Sequence, residues 1–250
     1  MIGELYTRAL AGNTRPEIEH ADGTRTPLAV DEWLDASPGD TSMLDRCYGP
    51  TLDVGSGPGR LTVALAERGI PSLGIDITPY AVQMARSAGA LALLRDVFGH
   101  VPGAGRWVTV LLADGNIGIG GDPVALLRRV SELLTSGGQA IVEVQAPGQE
   151  LRREQVRLRN ADTVSDWFPW AYVGADQIGE VAGSAGLNLT ETWSAEGRWF
   201  AALNPVGLPE DPVTEIEDVA FDGAEPRLWF PYRPARSVVP CPDEMAAYTT

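Results

Sequence analysis

The sequence predicts an α/β fold on a mostly parallel sheet, and three observations lead there. From Thr51 onward, short apolar runs alternate with helix-patterned stretches, the order expected of βαβ units. The runs TLDVG, PSLGI, ALALL, WVTVLLA and QAIVEV are nearly continuous rather than alternating, as strands covered on both faces must be. The stretches between them carry helix start and stop signals. With a final antiparallel pair the count is seven strands, the last one antiparallel, with helices on both faces of the sheet.

Taken in order, residues 1–45 form an N-terminal cap segment with helical candidates at Glu4 to Leu10 and Val30 to Asp35. Residues 46–203 form the core. There Thr78 and Pro79 supply an N-cap and a pre-set first helical position, and Gly89 marks the helix end. Asp122 and Pro123 repeat the device. Leu127, Val130 and Leu134 fall at helical spacing before Gly137 and Gly138 stop that helix. After the fifth strand a loop carries Trp167, Phe168, Trp170 and Tyr172, then a helix spans Ala175 to Ala185. LNLTETW and RWFAAL flank Gly197 closely enough to pair as a hairpin. Residues 204–250, rich in Pro and acids, form a C-terminal extension.

Composition narrows the function. The chain has 250 residues, 44% of them hydrophobic, and no apolar run of the roughly 18 residues that a membrane span needs. Its start lacks the pattern of an export signal, so a cytoplasmic location is expected. Cys47 and Cys241 are too few and too far apart for a disulfide framework or a four-cysteine zinc site. No metal is expected, because His20 and His100 stand without partners at ligand spacing. Acids outnumber bases 34 to 19, a formal charge of −15 that disfavours nucleic acid as a partner. Arg152, Arg153, Arg157 and Arg159 are the only dense basic group, read as a solvated face or edge strand rather than an anion site. The oligomeric state stays open.

The chemistry concentrates in LDVGSGPGR, Leu52 to Arg60, between the first strand and the first helix. Gly55, Gly57 and Gly59 let the backbone turn sharply at the carboxyl end of a strand, where open α/β sheets bind ligands. The spacing is GxGxG. A dinucleotide fingerprint needs GxGxxG, and Arg60 stands where its third glycine belongs, which disfavours NAD and FAD. Asp76, 17 residues after Gly59, ends the second strand at an exposed position, where a carboxylate can accept hydrogen bonds from both hydroxyls of a ribose.

These residues resemble the class I S-adenosylmethionine-dependent methyltransferases, whose first motif is an acid, an apolar residue and GxGxG, here Asp53, Val54 and the three glycines. The resemblance covers about residues 50 to 203 and implies a Rossmann-like fold that binds S-adenosylmethionine and releases S-adenosylhomocysteine. It implies further that Asp76 with Ile77 meets the ribose side of the cofactor, and that Asp96 with Val97 meets the adenine. Ala113 and Asp114, after the fourth strand, would line the passage between methyl group and acceptor. The Asn-Pro-Pro-Tyr motif of amino-directed nucleic-acid methyltransferases is missing there, ADGN standing in its place. Pro240-Cys241 lies outside the position of the cytosine C5 nucleophile.

The expected activity is therefore methyl transfer to a small-molecule acceptor, with oxygen, nitrogen and carbon acceptors all open. In-line displacement at an activated carbon needs alignment more than a nucleophilic side chain, so no catalytic residue is singled out. Tyr6, His20, Asn116, Trp170 and Tyr172 are the candidates for the acceptor side, with Tyr6, His20, His100 and Tyr172 as possible general bases. The aromatic group can equally be core packing. The N-terminal segment is expected to roof the pocket, bringing Tyr6 or His20 to the acceptor. The competing readings are a regulatory protein that binds the cofactor without turnover and an NAD-dependent oxidoreductase.

Overall fold

A computed structural model of the chain describes residues 2–34, 37–161 and 163–206. The chain opens with α1 (Ile2–Leu10), two short strands β1 (Glu17–His20) and β2 (Arg25–Pro27), a 3-10 turn over Val30–Trp33, and α2 (Pro38–Leu44). α2 has no counterpart among the expected elements. Its start is written locally all the same: Asp40 Oδ2 reaches back to accept from the Ser37 N–H at 2.8 Å, satisfying a helix-end donor.

The βαβ alternation then follows as β3 (Thr51–Val54), α3 (Arg60–Glu67), β4 (Ser72–Asp76), α4 (Pro79–Ser87), β5 (Ala92–Leu94), β6 (Trp107–Leu112), a 3-10 segment Asn116–Gly121, α5 (Pro123–Leu133) and β7 (Leu134–Val144). After it come β8 (Arg152–Asn160), β9 (Thr163–Val164), β10 (Phe168–Tyr172), α6 (Ile178–Ser184), β11 (Leu187–Ala195) and β12 (Arg198–Pro205).

The central sheet has seven strands in the order β11-β12-β7-β6-β3-β4-β5, parallel from β5 to β7 and antiparallel through β12 and β11. Successive strand residues bury opposite faces: Val110 and Leu112 pack with Leu126, Leu127 and Val130 of α5 and Ile178 of α6, while Leu111 packs with Leu61 and Leu65 of α3 and Met43 and Leu44 of α2. Progression runs one way from β3 to β5 and the other way from β6, so β3 and β6 flank the switch point where such sheets leave a crevice at their carboxyl ends.

Local signals are realised with adjustments. Asp122 caps α5, accepting from Val124 N at 3.1 Å and Ala125 N at 3.3 Å. α5 ends at Leu133, and β7 runs straight through Gly137 and Gly138 instead of beginning after them. The reason at Gly138 is close approach: a Cβ there would stand 3.0 Å from the carbonyls of Trp107 and Val108. The β11–β12 turn places Glu196 and Gly197 at φ 51° and 78°, the two left-handed residues a tight hairpin requires.

The larger departure is a second sheet, β10-β8-β1-β2, with β9 on β8, all antiparallel. The expected aromatic loop is largely β10. The arginine-rich stretch is β8, an interior strand rather than an edge, because Glu19 on β1 lies opposite Arg157 and accepts from both Arg157 and Arg159. The N-terminal segment thereby pairs with chain that follows the fifth parallel strand. Of the C-terminal extension 204–250, the part from residue 207 on lies outside the described residues.

Candidate active site

The three glycines of the turn after β3 serve different contacts. Gly55 (φ 70°) lies under Asn116, whose Nδ2 donates to the carbonyls of Val54 at 2.9 Å and Gly55 at 3.1 Å; a Cβ on Gly55 would come within 2.7 Å of that nitrogen. Gly59 (φ 90°) starts α3 against α4, where a Cβ would stand 2.6 Å from that of Ala85. Gly57 (φ 53°) differs: the nearest atom to its missing Cβ is Tyr6 Oη, 3.3 Å away. Two glycines thus pack the turn against the protein, and the middle one faces the Tyr6 hydroxyl.

Three acids surround this turn. Asp53 is buried, accepts from Thr62 Oγ1 at 2.7 Å, and is pushed up to about 7 by burial, with Asp114 and Asp76 adding to the rise. Its carboxyl supports the turn from within. Asp76 is 8% exposed, a correction to the exposed position expected for it. One of its oxygens accepts from Gly57 N at 3.0 Å and the other from Thr78 N at 2.7 Å, so it ties the turn to the start of α4. Burial raises its pKa, and the backbone bonds oppose that rise. Asp114 sits just past β6 at φ 54°, an uncommon conformation for a residue other than glycine. Its N–H donates to Glu143 Oε2 at 2.6 Å, and its Oδ1 accepts from Arg60 at 2.6 Å and Arg198 at 3.3 Å. Burial pushes its carboxyl up to about 6.

The remaining cofactor candidates divide by burial. Ile77 is 68% exposed beside Asp76, an apolar surface without cover. Asp96 is exposed and accepts from Phe98 N at 2.9 Å. The Val97 side chain is in the core, so only its backbone can serve a ligand, and its carbonyl already accepts from Arg129 Nε at 2.9 Å. Ala113 is buried beneath Asp114.

Sequence reasoning missed an ionic cluster that holds Asp114. Arg198 on β12 donates to both oxygens of Glu143, at 2.8 and 2.6 Å, and to Asp40 Oδ1 at 2.7 Å. Arg60, its side chain only 5% exposed, bonds Asp114, the Glu32 carbonyl at 3.1 Å and, at 3.4 Å, Asp40. The local signal was Arg60 itself, a charged residue at a helix start that faces inward. The partners come from α2, β7 and β12, which no local pattern ties together.

On the acceptor side, Tyr6 is half-buried against Trp33, ring centroids 5.9 Å apart, and its pKa is raised by burial and by Asp76 and Asp114. α1 thus brings Tyr6 beside the glycine turn. Asn116 is part of the turn's support. His20, Trp170 and Tyr172 lie in the second sheet: His20 Nδ1 is 3.3 Å from Glu154 Oε1, its ring is 6.0 Å from Tyr172, and Trp170 stands against Gly118 of the 3-10 segment after Asp114.

A family model for a methyltransferase domain matches residues 52–142, the stretch from β3 to β7 that carries the turn, Asp76 and Asp114. That stretch is therefore similar to a methyltransferase domain. A lysine N-methyltransferase of Mus musculus, named for a subunit of ATP synthase, is 27% identical over 143 residues, 55% of this chain and 54% of that protein. This chain thus spans about half the length of that curated relative. The fold matches a SAM-dependent methyltransferase from Bacteroides fragilis in complex with S-adenosylhomocysteine, TM-score 0.69, at 21% identity, over 83% of this chain and 94% of that one. It also matches the 1,6-didemethyltoxoflavin-N1-methyltransferase of Burkholderia thailandensis, TM-score 0.51, at 15% identity, over 67% of this chain and 76% of that one.

The cofactor of this methyltransferase domain is S-adenosylmethionine, and the residues present fit it. At Gly57 no side chain stands between the turn and the Tyr6 hydroxyl, Asp76 has acceptor capacity beyond its two backbone donors, and Arg60 Nη1 is buried without a partner among the described residues. A buried guanidinium nitrogen left unpaired is costly, and an anionic or polar ligand group would relieve that cost.

Proposed function

We propose that the protein transfers a methyl group from S-adenosylmethionine to a small-molecule acceptor. The observation that carries this reading is the convergence of Gly57, Asp76, Asp114 and Tyr6 at the switch point, with α1 and the second sheet built over the same end of the main sheet. In this reading Asp76, Ile77 and the Gly57 turn hold the ribose side of the cofactor, with Asp96 and the Val97 backbone toward its adenine. Ala113 and Asp114 line the methyl passage. When bound, the cofactor supplies an electrophilic methyl group on a sulfonium.

The chain's own contribution is alignment and exclusion of water. Tyr6 and Asn116 fix the walls of the turn, and Asp114, pinned by Arg60, Arg198 and Glu143, cannot swing away from the acceptor. Such positioning is the main thing a displacement at an activated carbon needs. The −15 charge and the cover that α1 lays beside the turn favour a small molecule over nucleic acid.

Calorimetric titration with S-adenosylhomocysteine and with NADH tests the reading. Binding of the sulfur compound, and loss of roughly ten- to a hundredfold in affinity in Asp76→Ala, are expected from the loss of charged hydrogen bonds. Binding of NADH in its place would remove the proposal.

A further inference from the structure

The site beside the glycine turn is acidic, and one carboxylate oxygen in it is idle. Asp40, Asp114 and Glu143 share two guanidiniums, Arg60 and Arg198, among the described residues, with Asp76 close by, so negative charge is in surplus before any substrate enters. Both guanidiniums already bond carboxylates, Arg60 through Nη2 and Arg198 through Nε, Nη1 and Nη2, and Arg60 Nη1 is left to the cofactor. Asp114 Oδ1 takes both arginines, while Oδ2 has no partner among the described residues and the side chain keeps 25% of its surface open. Glu143 holds the peptide of Asp114, and Arg60 and Arg198 hold its carboxyl through Oδ1, leaving Oδ2 as the oxygen not engaged by them. Tyr6, close enough to feel both Asp76 and Asp114, adds an aromatic face next to Trp33, a surface that attracts cations and repels anions.

We propose that the acceptor is an amine, cationic in solution, and that Asp114 takes its ammonium proton through Oδ2. This rests on the methyl-transfer reading above. An ammonium nitrogen has no free electron pair, so it must lose a proton before it can attack. The proton passes to Asp114 Oδ2, and the freed pair on nitrogen forms the bond to the methyl carbon as the carbon–sulfur bond breaks, its pair remaining on sulfur. The sulfonium becomes a thioether, the methylated nitrogen carries the positive charge away, and Asp114 returns its proton to solvent. A carboxylate acceptor would instead add charge to an acidic site, and a neutral phenol would leave the surplus uncompensated.

Asp114 faces Arg60 from α3, Arg198 from β12 and Glu143 from β7, with Asp53 of β3, Asp76 of β4 and Tyr6 of α1 close by. Burial sets its carboxyl near 6, ionised at neutral pH and protonated in mild acid. Selectivity for an amine should fade along the same range.

The test uses the full chain loaded with S-adenosylhomocysteine, titrated calorimetrically with phenethylamine, 4-ethylphenol and 3-phenylpropionate at pH 7.5 and pH 5. Phenethylamine should bind at least about tenfold more tightly than the other two at pH 7.5, the scale of one charge-assisted contact. That advantage should vanish at pH 5 and in Asp114→Asn, each titrated at saturating S-adenosylhomocysteine; Asn accepts the left-handed conformation of this position. No advantage in the native protein, or one that survives unchanged in Asp114→Asn, overturns the inference. Should Asp114→Asn fail to fold, the native protein decides alone: a preference equal at both pH values overturns it. Failure of S-adenosylhomocysteine itself to bind would instead strike the methyl-transfer reading, so the two failures are separate.

Discussion

Replacing Asp53 with asparagine isolates the electrostatic cost of the acid beneath the glycine turn. Burial lifts this carboxyl from the ordinary 3.8 to about 7, against the opposing pull of its hydrogen bond from Thr62 and the charge of Arg60. A raised carboxyl pKa means that the folded protein binds the proton more tightly than the unfolded chain does. Stability therefore falls as pH rises from about 4 to about 7 and levels off above. A difference of one in pKa is worth about 1.4 kcal/mol, so the full cost at pH 8 is on the order of 4 kcal/mol, and the part incurred between pH 5 and pH 8 is about 2–3 kcal/mol. The Asp53→Asn variant would keep the acceptor for Thr62 but bury an amide donor, a pH-independent penalty of about 1–3 kcal/mol. The diagnostic is thus the slope rather than the level: relative to the native protein, Asp53→Asn should gain about 2–3 kcal/mol between pH 5 and pH 8. Urea denaturation at the two pH values measures it, with the m-value checking that the same surface unfolds. An unchanged difference between the two pH values would refute the assignment of a desolvated, proton-holding Asp53.

Other expectations follow from the same geometry. Asp76→Ala should lower the melting temperature as well as cofactor affinity, since the Gly57 and Thr78 N–H groups lose their acceptor together; a fall in affinity with an unchanged melting curve would contradict the tie seen between them. Gly59→Ala should cost at least about 1–2 kcal/mol from its left-handed backbone, plus the clash with Ala85, read by chemical denaturation, while Gly69→Ala, with open space around it, should show the backbone part alone. Arg198→Ala should destabilise by about 3–5 kcal/mol, because Asp40 and Glu143 are left buried without their cation, and Arg198→Lys should recover only part of that. A thermal-shift series read at low and high salt would separate that internal cluster from the exposed Arg8–Glu4 pair, whose removal should change little.

What the sequence by itself determined is everything set by neighbours along the chain. Continuous apolar runs specified strands covered on both faces, Asp122-Pro123 began α5, Gly197 turned the final hairpin, and the GxGxG spacing with Asp53 and Asp76 placed the turn at the end of the first parallel strand. Each is a short-range rule of backbone geometry or burial, legible without knowing what lies across the fold. The second sheet was decided only in three dimensions. Glu19 and Arg157 are 138 residues apart, and the alternating, charged text of β1 and β8 reads as exposed surface until the two strands are brought into register. The same holds for the site's electrostatics. Arg60, Arg198, Asp40, Glu143 and Asp114 arrive from five parts of the chain, and only the loss of water around them turns ordinary surface charges into a clamp. Desolvation is a property of enclosure, which is why the motif was readable in the sequence and the acidic pocket around it was not.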